Sequence, residues 1–149
     1  MIAARYVHTN IIARDWRKVA RFYEDVFGCV LVPPERDLSG EWLERGTGVA
    51  RAHIRGVHLR LPGHGESGPT IEIFSYDDIA AQQSHPIANR AGYGHVAFMV
   101  EDVAAAMREV VAHGGKPGEI VSHATPAGEI EFVYVRDPED NLIELQRWS

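Results

Sequence analysis

Apolar and polar residues alternate along several short stretches of the chain, and two longer stretches have the spacing of an amphipathic helix. Residues 6–28 read YVHTNIIARDWRKVARFYEDVFG, an alternating strand followed by a helical pattern. Residues 93–115 read YGHVAFMVEDVAAAMREVVAHGG and repeat that order. Because both stretches show the same order of elements, the pattern predicts an internal duplication.

Four residue types recur at equal spacing in the two stretches, which favours duplication over chance similarity. They are Tyr6, His8, Asp15 and Gly28 in the first, and Tyr93, His95, Asp102 and Gly115 in the second. The aspartates are suited to cap the N-terminus of the helix that follows. The glycines are suited to the left-handed position that ends a helix.

The segments after each helix also correspond, and together they predict the fold. GVHLRLPG and TIEIFSY end the first half, and EFVYVRDP and NLIELQRW end the second. Each half therefore reads strand, helix, strand, strand, strand. We predict an α+β fold of two tandem βαβββ modules in one domain, 1–149, with helices outside and the sheets curling into a cleft. The modules span 4–76 and 92–148, a polar linker spans 77–91, and residues 36–51 add an excursion to the first module.

Each predicted strand has one aliphatic face and one face that mixes aromatic, polar and ionisable residues. In TIEIFSY, for example, Ile71 and Ile73 oppose Glu72. The aliphatic faces are expected to pack beneath the helices, whereas the mixed faces suit the lining of a cavity. The residues expected to line a substrate pocket are Asn10, Arg60, Phe74, Tyr76, Met99, Phe132, Tyr134 and Gln146.

Four ionisable residues of the mixed faces recur at equivalent positions. His8 matches His95 in the first strand of each half, and Glu72 matches Glu144 in the last. Taken singly, each would be a structural histidine or a solvated glutamate. Two imidazoles and two carboxylates brought together by duplication would instead be costly to desolvate without a cation. The pattern therefore predicts one divalent metal ion, and the mixed ligands suit zinc, nickel, cobalt, manganese or iron.

The other histidines have no such counterpart. Those expected on the surface or in loops are His53, His64, His85, His113 and His123. His58 is intermediate, because it lies on the mixed face of its strand but has no partner in the second half.

Composition and charge exclude several classes of function. The 149 residues are 45% hydrophobic, carry a formal charge of −6 and show no basic patch, so neither nucleic acid nor an anionic membrane surface is an expected partner. Cys29 is the single cysteine, which excludes an internal disulfide and a thiolate metal cluster. The sequence has no apolar run long enough to span a bilayer, and the start lacks the apolar core of a signal peptide, so a cytoplasmic location is expected.

The duplicated pattern, together with GYGHVAFMVEDV, TIEIF and YVRDPEDNLIEL, resembles the vicinal oxygen chelate superfamily of glyoxalase I, bleomycin-resistance proteins and extradiol dioxygenases. The resemblance covers nearly the whole chain and implies metal ligands at His8, Glu72, His95 and Glu144. Such a quartet looks like glyoxalase I. Extradiol dioxygenases use three ligands, fosfomycin-modifying relatives tend to have histidine at Glu72, and bleomycin-binding relatives usually lack the ligands. An intact quartet therefore implies an enzyme.

The resemblance implies a metal-dependent lyase or isomerase that enolises a small carbonyl substrate chelated to the metal. Glu144 or Glu72 would then be both ligand and catalytic base. One alternative is an acyl-CoA epimerase, similar to methylmalonyl-CoA epimerase, in which His58 is a further base. A second alternative is a protein that binds an antibiotic or aromatic ligand without catalysis. Relatives are usually dimers, so a homodimer is expected.

Departures from glyoxalase I argue against glutathione as a cofactor. Ile12 stands where bacterial glyoxalase I has an arginine that holds the glutathione carboxylate, and Tyr76 stands where it has an asparagine. No basic cluster supports a nucleotide phosphate of an acyl-CoA either. Asp140 replaces a common glycine in the last turn, and aspartate tolerates a left-handed backbone there.

Overall fold

A computed structural model describes residues 1–81 and 86–149 of the chain. The chain divides into two compact units between Ala81 and Gln82, at a point inside the predicted linker 77–91. His85, one of the histidines expected on the surface, lies outside the described residues. In the described part of the chain, no helix has the length and apolar character needed to cross a lipid bilayer.

The first unit contains one four-stranded sheet and two helices. Its elements are β1 (His8–Ile12), α1 (Trp16–Phe27), β2 (Val30–Ser39), α2 (Glu41–Thr47), β3 (His53–Arg60) and β4 (Thr70–Tyr76). The strand order is β1-β4-β3-β2. β1 runs parallel to β4, and the other neighbours are antiparallel.

The second unit repeats this architecture with one helix. Its elements are β5 (Val96–Met99), α3 (Val103–Ala112), β6 (Val121–Thr125), β7 (Gly128–Arg136) and β8 (Leu142–Trp148). The strand order is β5-β8-β7-β6, with β5 parallel to β8 and antiparallel pairing elsewhere. The prediction of an α+β fold made of two tandem βαβββ modules is therefore confirmed.

Both helices that follow the first strand of a module begin at the predicted aspartate. The Asp15 carboxylate accepts a hydrogen bond from the Lys18 N–H at 3.1 Å. The Asp102 carboxylate accepts one from the Ala105 N–H at 2.8 Å. Each carboxylate satisfies a backbone donor that the helix itself leaves unpaired, which stabilises a helix by about 1 kcal/mol.

The two helix ends differ, and one prediction was wrong. Gly28 takes the left-handed conformation that ends α1, with φ of 66°. After α3 the left-handed residue is Gly114, with φ of 88°, and not Gly115. Gly115 has another reason to be glycine, since a Cβ atom there would lie 2.5 Å from the Arg136 carbonyl oxygen. The chain passes too close to β7 for any side chain at that position.

The aliphatic face of each sheet is buried beneath a helix, as the alternation predicts. α1 packs against β3 and β4, and α3 packs against β7 and β8. Fully buried aliphatic residues of the two sheets are Leu59, Ile71, Ile73, Val133, Val135, Ile143 and Leu145. Removing such a side chain from water stabilises the fold by about 1.5–3 kcal/mol each, so these faces fix which side of every strand carries the polar residues.

The excursion at residues 36–51 folds onto the mixed face of the first sheet. It supplies the end of β2 and the short helix α2. Leu43 of α2 is buried in a cluster with Ala52, Ile54 and Phe74, and Leu38 and Tyr76 pack against that cluster. We call this group the α2 cluster. It covers one end of the mixed face with apolar side chains.

Asp137 organises the turn between β7 and β8. Its side chain is fully buried, and Oδ1 accepts hydrogen bonds from the Glu139 N–H at 2.8 Å and the Asn141 N–H at 3.0 Å. Oδ2 accepts a third from the Asn141 amide at 2.8 Å. Burial raises the pKa of Asp137, although these three donors oppose the shift. Asp140 adopts the expected left-handed conformation, with φ of 73°.

Replacing Asp137 with alanine should lower the free energy of unfolding by about 2–3 kcal/mol, because three donors lose their acceptor in a buried turn. Urea denaturation of the variant and wild type would measure the difference. The exposed Glu119→Ala is the matched control and should change stability by less than about 0.5 kcal/mol. An Asp137→Ala protein as stable as the control would contradict the assigned role.

His53 joins the ends of three chain segments in the first unit and lies in β3, not in a loop. Its Nε2 is 2.6 Å from Asp37 Oδ1, and its Nδ1 is 2.8 Å from Asp77 Oδ2. Arg55 also donates to Asp77, at 2.6 Å. Hydrogen bonds to Asp37 and then to Asp77 raise the pKa of His53, while burial and Arg55 oppose the rise.

A raised histidine pKa makes this contribution to stability depend on pH. The folded protein holds the proton more tightly than the unfolded chain, so the contribution is complete below the ordinary pKa of about 6.5 and is lost as pH rises through the folded value. We therefore expect His53→Gln to destabilise the protein more at about pH 5.5 than at about pH 8.5. Urea denaturation at both pH values would measure the loss in free energy of unfolding, with the exposed His64→Gln as control. An equal loss at both pH values would contradict the assigned interaction of His53 with Asp37 and Asp77.

Candidate metal and substrate site

Glu72 occupies the centre of the mixed face of the first sheet. The strand register places it between Asn10 of β1 and His58 of β3, and the residue is only 8% exposed. His58 Nε2 lies 3.2 Å from Oε1. The Asn10 amide donates to Oε2 at 3.1 Å, and His8 Nε2 lies 3.5 Å from the same oxygen. A buried carboxylate is costly, and here neighbouring strands on both sides supply its partners.

Glu144 occupies the equivalent place in the second sheet. Its neighbours across the sheet are Ala97 of β5 and Tyr134 of β7. His95 Nε2 lies 2.9 Å from Glu144 Oε2. The His95 ring also contacts the Tyr134 ring edge-on, with 5.1 Å between centroids.

The two modules therefore present the same histidine–glutamate pair. In each, the histidine stands two residues before the residue that lies opposite the glutamate, Asn10 in one module and Ala97 in the other. In each, the histidine Nε2 faces a carboxylate oxygen of that glutamate. The sequence matched His8 with His95 by equal spacing and Glu72 with Glu144 by their place in the last strand of each half. The strand register gives the same correspondence.

Register also gives His58 a counterpart that the sequence did not reveal. His58 lies opposite Glu72 on the adjacent strand, and Tyr134 lies opposite Glu144 in the same way. Histidine and tyrosine share no pattern that would align them along the chain. The strand pairing alone relates the two positions.

The electrostatic environment differs between these counterparts. Burial lowers the pKa of His58. The negative charge of Glu72 opposes this shift, whereas electrostatic interactions with Arg36 and then with His8 add to it. Burial, and then the negative charge of Glu144, raise the pKa of Tyr134. Tyr134 is thus held as a neutral hydroxyl beside a carboxylate.

The remaining predicted pocket residues lie around these two centres. In the first unit Arg60 donates to the Glu66 carbonyl at 3.4 Å, and Phe74 contacts the His58 ring at 5.5 Å between centroids. Phe74 is itself buried in the α2 cluster, against which Tyr76 packs, so these two residues line the covered end of the mixed face.

In the second unit the other pocket residues form a row across three strands. Met99, Gln146 and Phe132 are register neighbours, and Met99 is 74% exposed. Gln146 Oε1 accepts a hydrogen bond from the Trp148 indole at 3.2 Å. The Phe132 ring lies edge-on to Tyr134, with 5.9 Å between centroids.

The predicted metal ligands have the right donor chemistry. Imidazole nitrogen and carboxylate oxygen face each other in both pairs, a donor set that suits a divalent transition metal. Within residues 1–81 and 86–149, however, no three histidine, cysteine, aspartate or glutamate side chains form a group that could hold a cation. The shared quartet therefore stays a prediction.

Comparison with known proteins places this fold in one superfamily. The family model described as Glyoxalase/Bleomycin resistance protein/Dioxygenase superfamily matches residues 5–145. No curated protein matches the chain.

Solved structures with the same fold include a glyoxalase family protein from Bacillus cereus, with a TM-score of 0.84, 22% identity, and coverage of 99% of this chain and 96% of that one. The genomically encoded fosfomycin resistance protein FosX from Listeria monocytogenes has a TM-score of 0.63 and 18% identity, covering 100% of this chain and 96% of that one. The structure of that protein with Mn(II) and sulfate has a TM-score of 0.55 and 17% identity, covering 100% of this chain and 95% of that one. At these identities the likeness shows the fold alone.

Removing the charge of Glu144 should lower the pKa of Tyr134, because that carboxylate opposes formation of a neighbouring phenolate. NMR titration of ring-labelled tyrosine in metal-free protein would compare wild type with Glu144→Gln. Glu129→Gln, an exposed substitution on the same strand as Tyr134, is the control and should leave the titration unchanged. An unchanged Tyr134 pKa in Glu144→Gln would contradict the electrostatic contact.

Proposed function

Because the chain belongs to the glyoxalase, bleomycin resistance protein and dioxygenase superfamily, we propose that it is a metal-dependent lyase or isomerase that enolises a small carbonyl substrate. The matched histidine–glutamate pair in both modules carries this proposal. His8, Glu72, His95 and Glu144 would together hold one divalent metal ion. The Mn(II) in the FosX structure supports a metal in this fold but belongs to that protein.

The bound metal would supply a Lewis acid that stabilises negative charge on a substrate oxygen. The protein must supply a base that takes the proton from the carbon next to the carbonyl. As that C–H bond breaks, its electron pair forms a carbon–carbon double bond and the carbonyl electrons move to oxygen. The substrate must also carry a hydroxyl on that carbon, as the hydrate or hemithioacetal of an α-ketoaldehyde does. The proton then returns to the former carbonyl carbon while the hydroxyl proton moves to the enolate oxygen, so that a new carbonyl forms and the isomerisation needs no external oxidant or reductant.

Glu144 is better suited than Glu72 to be this base. Both oxygens of Glu72 are engaged, one by His58 and the other by Asn10 and His8. In the described part of the chain, only one oxygen of Glu144 has such a partner, namely His95. A carboxylate with one unengaged oxygen can approach a substrate carbon, whereas three contacts hold Glu72 as a ligand.

Glutathione is not part of this proposal, because Ile12 and Tyr76 replace residues that glyoxalase I would use. Tyr76 also packs against the α2 cluster, so the side chain at this position is engaged by the protein itself. Substrates should therefore be screened both with and without an added thiol. Fosfomycin belongs in the screen because FosX shares the fold.

The direct test is proton exchange at the substrate carbon next to the carbonyl. Wild-type protein reconstituted with each divalent metal should exchange that proton for deuterium or isomerise an α-ketoaldehyde or acyl thioester, and a chelator should abolish both. Glu144→Gln should lower the rate by about 10²–10⁴-fold while keeping its metal, because the general base is lost. Glu129→Gln is the control and should keep wild-type turnover.

Full activity of Glu144→Gln, or turnover by the metal-free protein, would contradict the proposal. Activity that requires His58 and occurs only with thioester substrates would favour the epimerase. Ligand binding without exchange or turnover across the whole screen would favour a binding protein instead.

A further inference from the structure

Arg36 lies on the mixed face of the first sheet, in the segment where the sequence predicted an irregular excursion. It pairs with Gly56 of β3, and Val32 pairs with His58, with a register shift between Val32 and Arg36. Leu38 stands two residues after Arg36 on the same strand and packs against the α2 cluster. Residues two apart in a strand share a face, so Arg36 shares the face that carries His58 and Glu72.

A second guanidinium lies on the other side of His58. Arg60 stands two residues after His58 in β3 and therefore projects from the same face. Both arginines are half-buried. The charge of Arg36 also acts on His58, since it contributes to lowering the pKa of that imidazole.

In the described part of the chain, both arginines donate to backbone carbonyls and not to carboxylates. Arg36 donates to the Pro34 carbonyl, and Arg60 donates to the Glu66 carbonyl at 3.4 Å. Across residues 1–81 and 86–149, no carboxylate forms an ion pair with either guanidinium.

Other arginines of the first unit do pair with carboxylates. Arg17 pairs with Glu35 at 3.3 Å, and Arg55 pairs with Asp77 at 2.6 Å. The chain has 21 acidic and 15 basic residues, so acidic partners are in excess. Two half-buried guanidiniums without acidic partners on one face are therefore a feature that a ligand could complete.

We propose that Arg36 and Arg60 form an anion subsite beside His58, and that the substrate carries a carboxylate, phosphonate or phosphate group in addition to its carbonyl. A guanidinium has five N–H donors, and each of these arginines uses one on a backbone carbonyl. The remaining donors suit two-point hydrogen bonding to the paired oxygens of such a group. As a substrate subsite this inference rests on the proposed function, whereas anion binding itself does not.

The subsite would replace the carboxylate-binding arginine that glyoxalase I carries at the position of Ile12. It lies on the β2 and β3 side of Glu72, away from β1. The α2 cluster bounds it beyond Arg36, since Leu38 and Phe74 fill the face there. The anionic group must therefore be compact and close to the carbonyl.

Anion binding can be measured without any enzymatic activity. Methylphosphonate, acetate and inorganic phosphate would be titrated by NMR into full-length protein labelled at the arginine side chains, before and after metal loading. We expect methylphosphonate or acetate to shift the Arg36 and Arg60 side-chain signals. Arg36→Gln should weaken that binding by about tenfold or more, because a charge-assisted pair is lost.

Two further variants separate the contribution of the planar guanidinium, with its several N–H donors, from the contribution of positive charge alone. Arg36→Lys keeps the charge and should bind more weakly than wild type but more tightly than Arg36→Gln. Arg45→Gln removes an exposed charge from α2 and should bind like wild type. Equal affinity in Arg36→Gln and wild type, an equal loss in Arg45→Gln, or no binding to wild type would overturn the subsite.

The comparison of probes identifies the anionic group, and turnover then ties it to the substrate. Preference for methylphosphonate or phosphate over acetate would indicate a phosphorus oxyanion, and the reverse a carboxylate. In an active preparation, Arg36→Gln should lower kcat/KM for an α-ketoaldehyde carrying the preferred group by about tenfold more than for a neutral one. An equal loss for both would overturn the substrate role while leaving the metal chemistry of the proposed function intact.

Discussion

Burying a carboxylate at the centre of a sheet costs free energy, and this cost determines which residues must surround Glu72 and Glu144. Glu72 and Glu144 each lie on an inner strand, so their partners must come from the strands on either side. Both side chains are largely buried, with 11% of Glu72 and 15% of Glu144 exposed, so an unpartnered charge would destabilise the native state. The histidine of the first strand meets this need in both modules. The same pairing also places a nitrogen donor and an oxygen donor together, which a metal ion requires.

The modules have kept this pair and diverged around it. In the first, Asn10 and His58 add two contacts that hold Glu72. In the second, Ala97 cannot form a hydrogen bond with Glu144 through its side chain, and Tyr134 contributes a neutral hydroxyl. The two modules thus carry similar carboxylates at matched positions, and among the described residues Glu72 has more side-chain partners than Glu144.

Periodicity predicted the strand faces and the capping aspartates because each depends on residues close in sequence. Equal spacing in the two halves also paired His8 with His95, and the order of strands paired Glu72 with Glu144. Features that depend on pairing between distant strands were missed. Tyr134 is the counterpart of His58 only through register. Arg36 was missed because residues 36–51 were predicted as an excursion, whereas β2 continues to Ser39 and pairs there with β3. Gly115 was misread because its constraint is the nearby Arg136 carbonyl, which no local pattern records.

Elemental analysis of reconstituted protein would show whether the two histidine–glutamate pairs hold one metal ion, as proposed. Wild type should contain about one divalent metal ion per chain, and His8→Ala and His95→Ala should each lose it completely, because a site with four ligands fails when either pair is broken. Circular dichroism would show that both variants are folded. Wild type without metal, or with about two ions of which each variant keeps one, would contradict a single shared site.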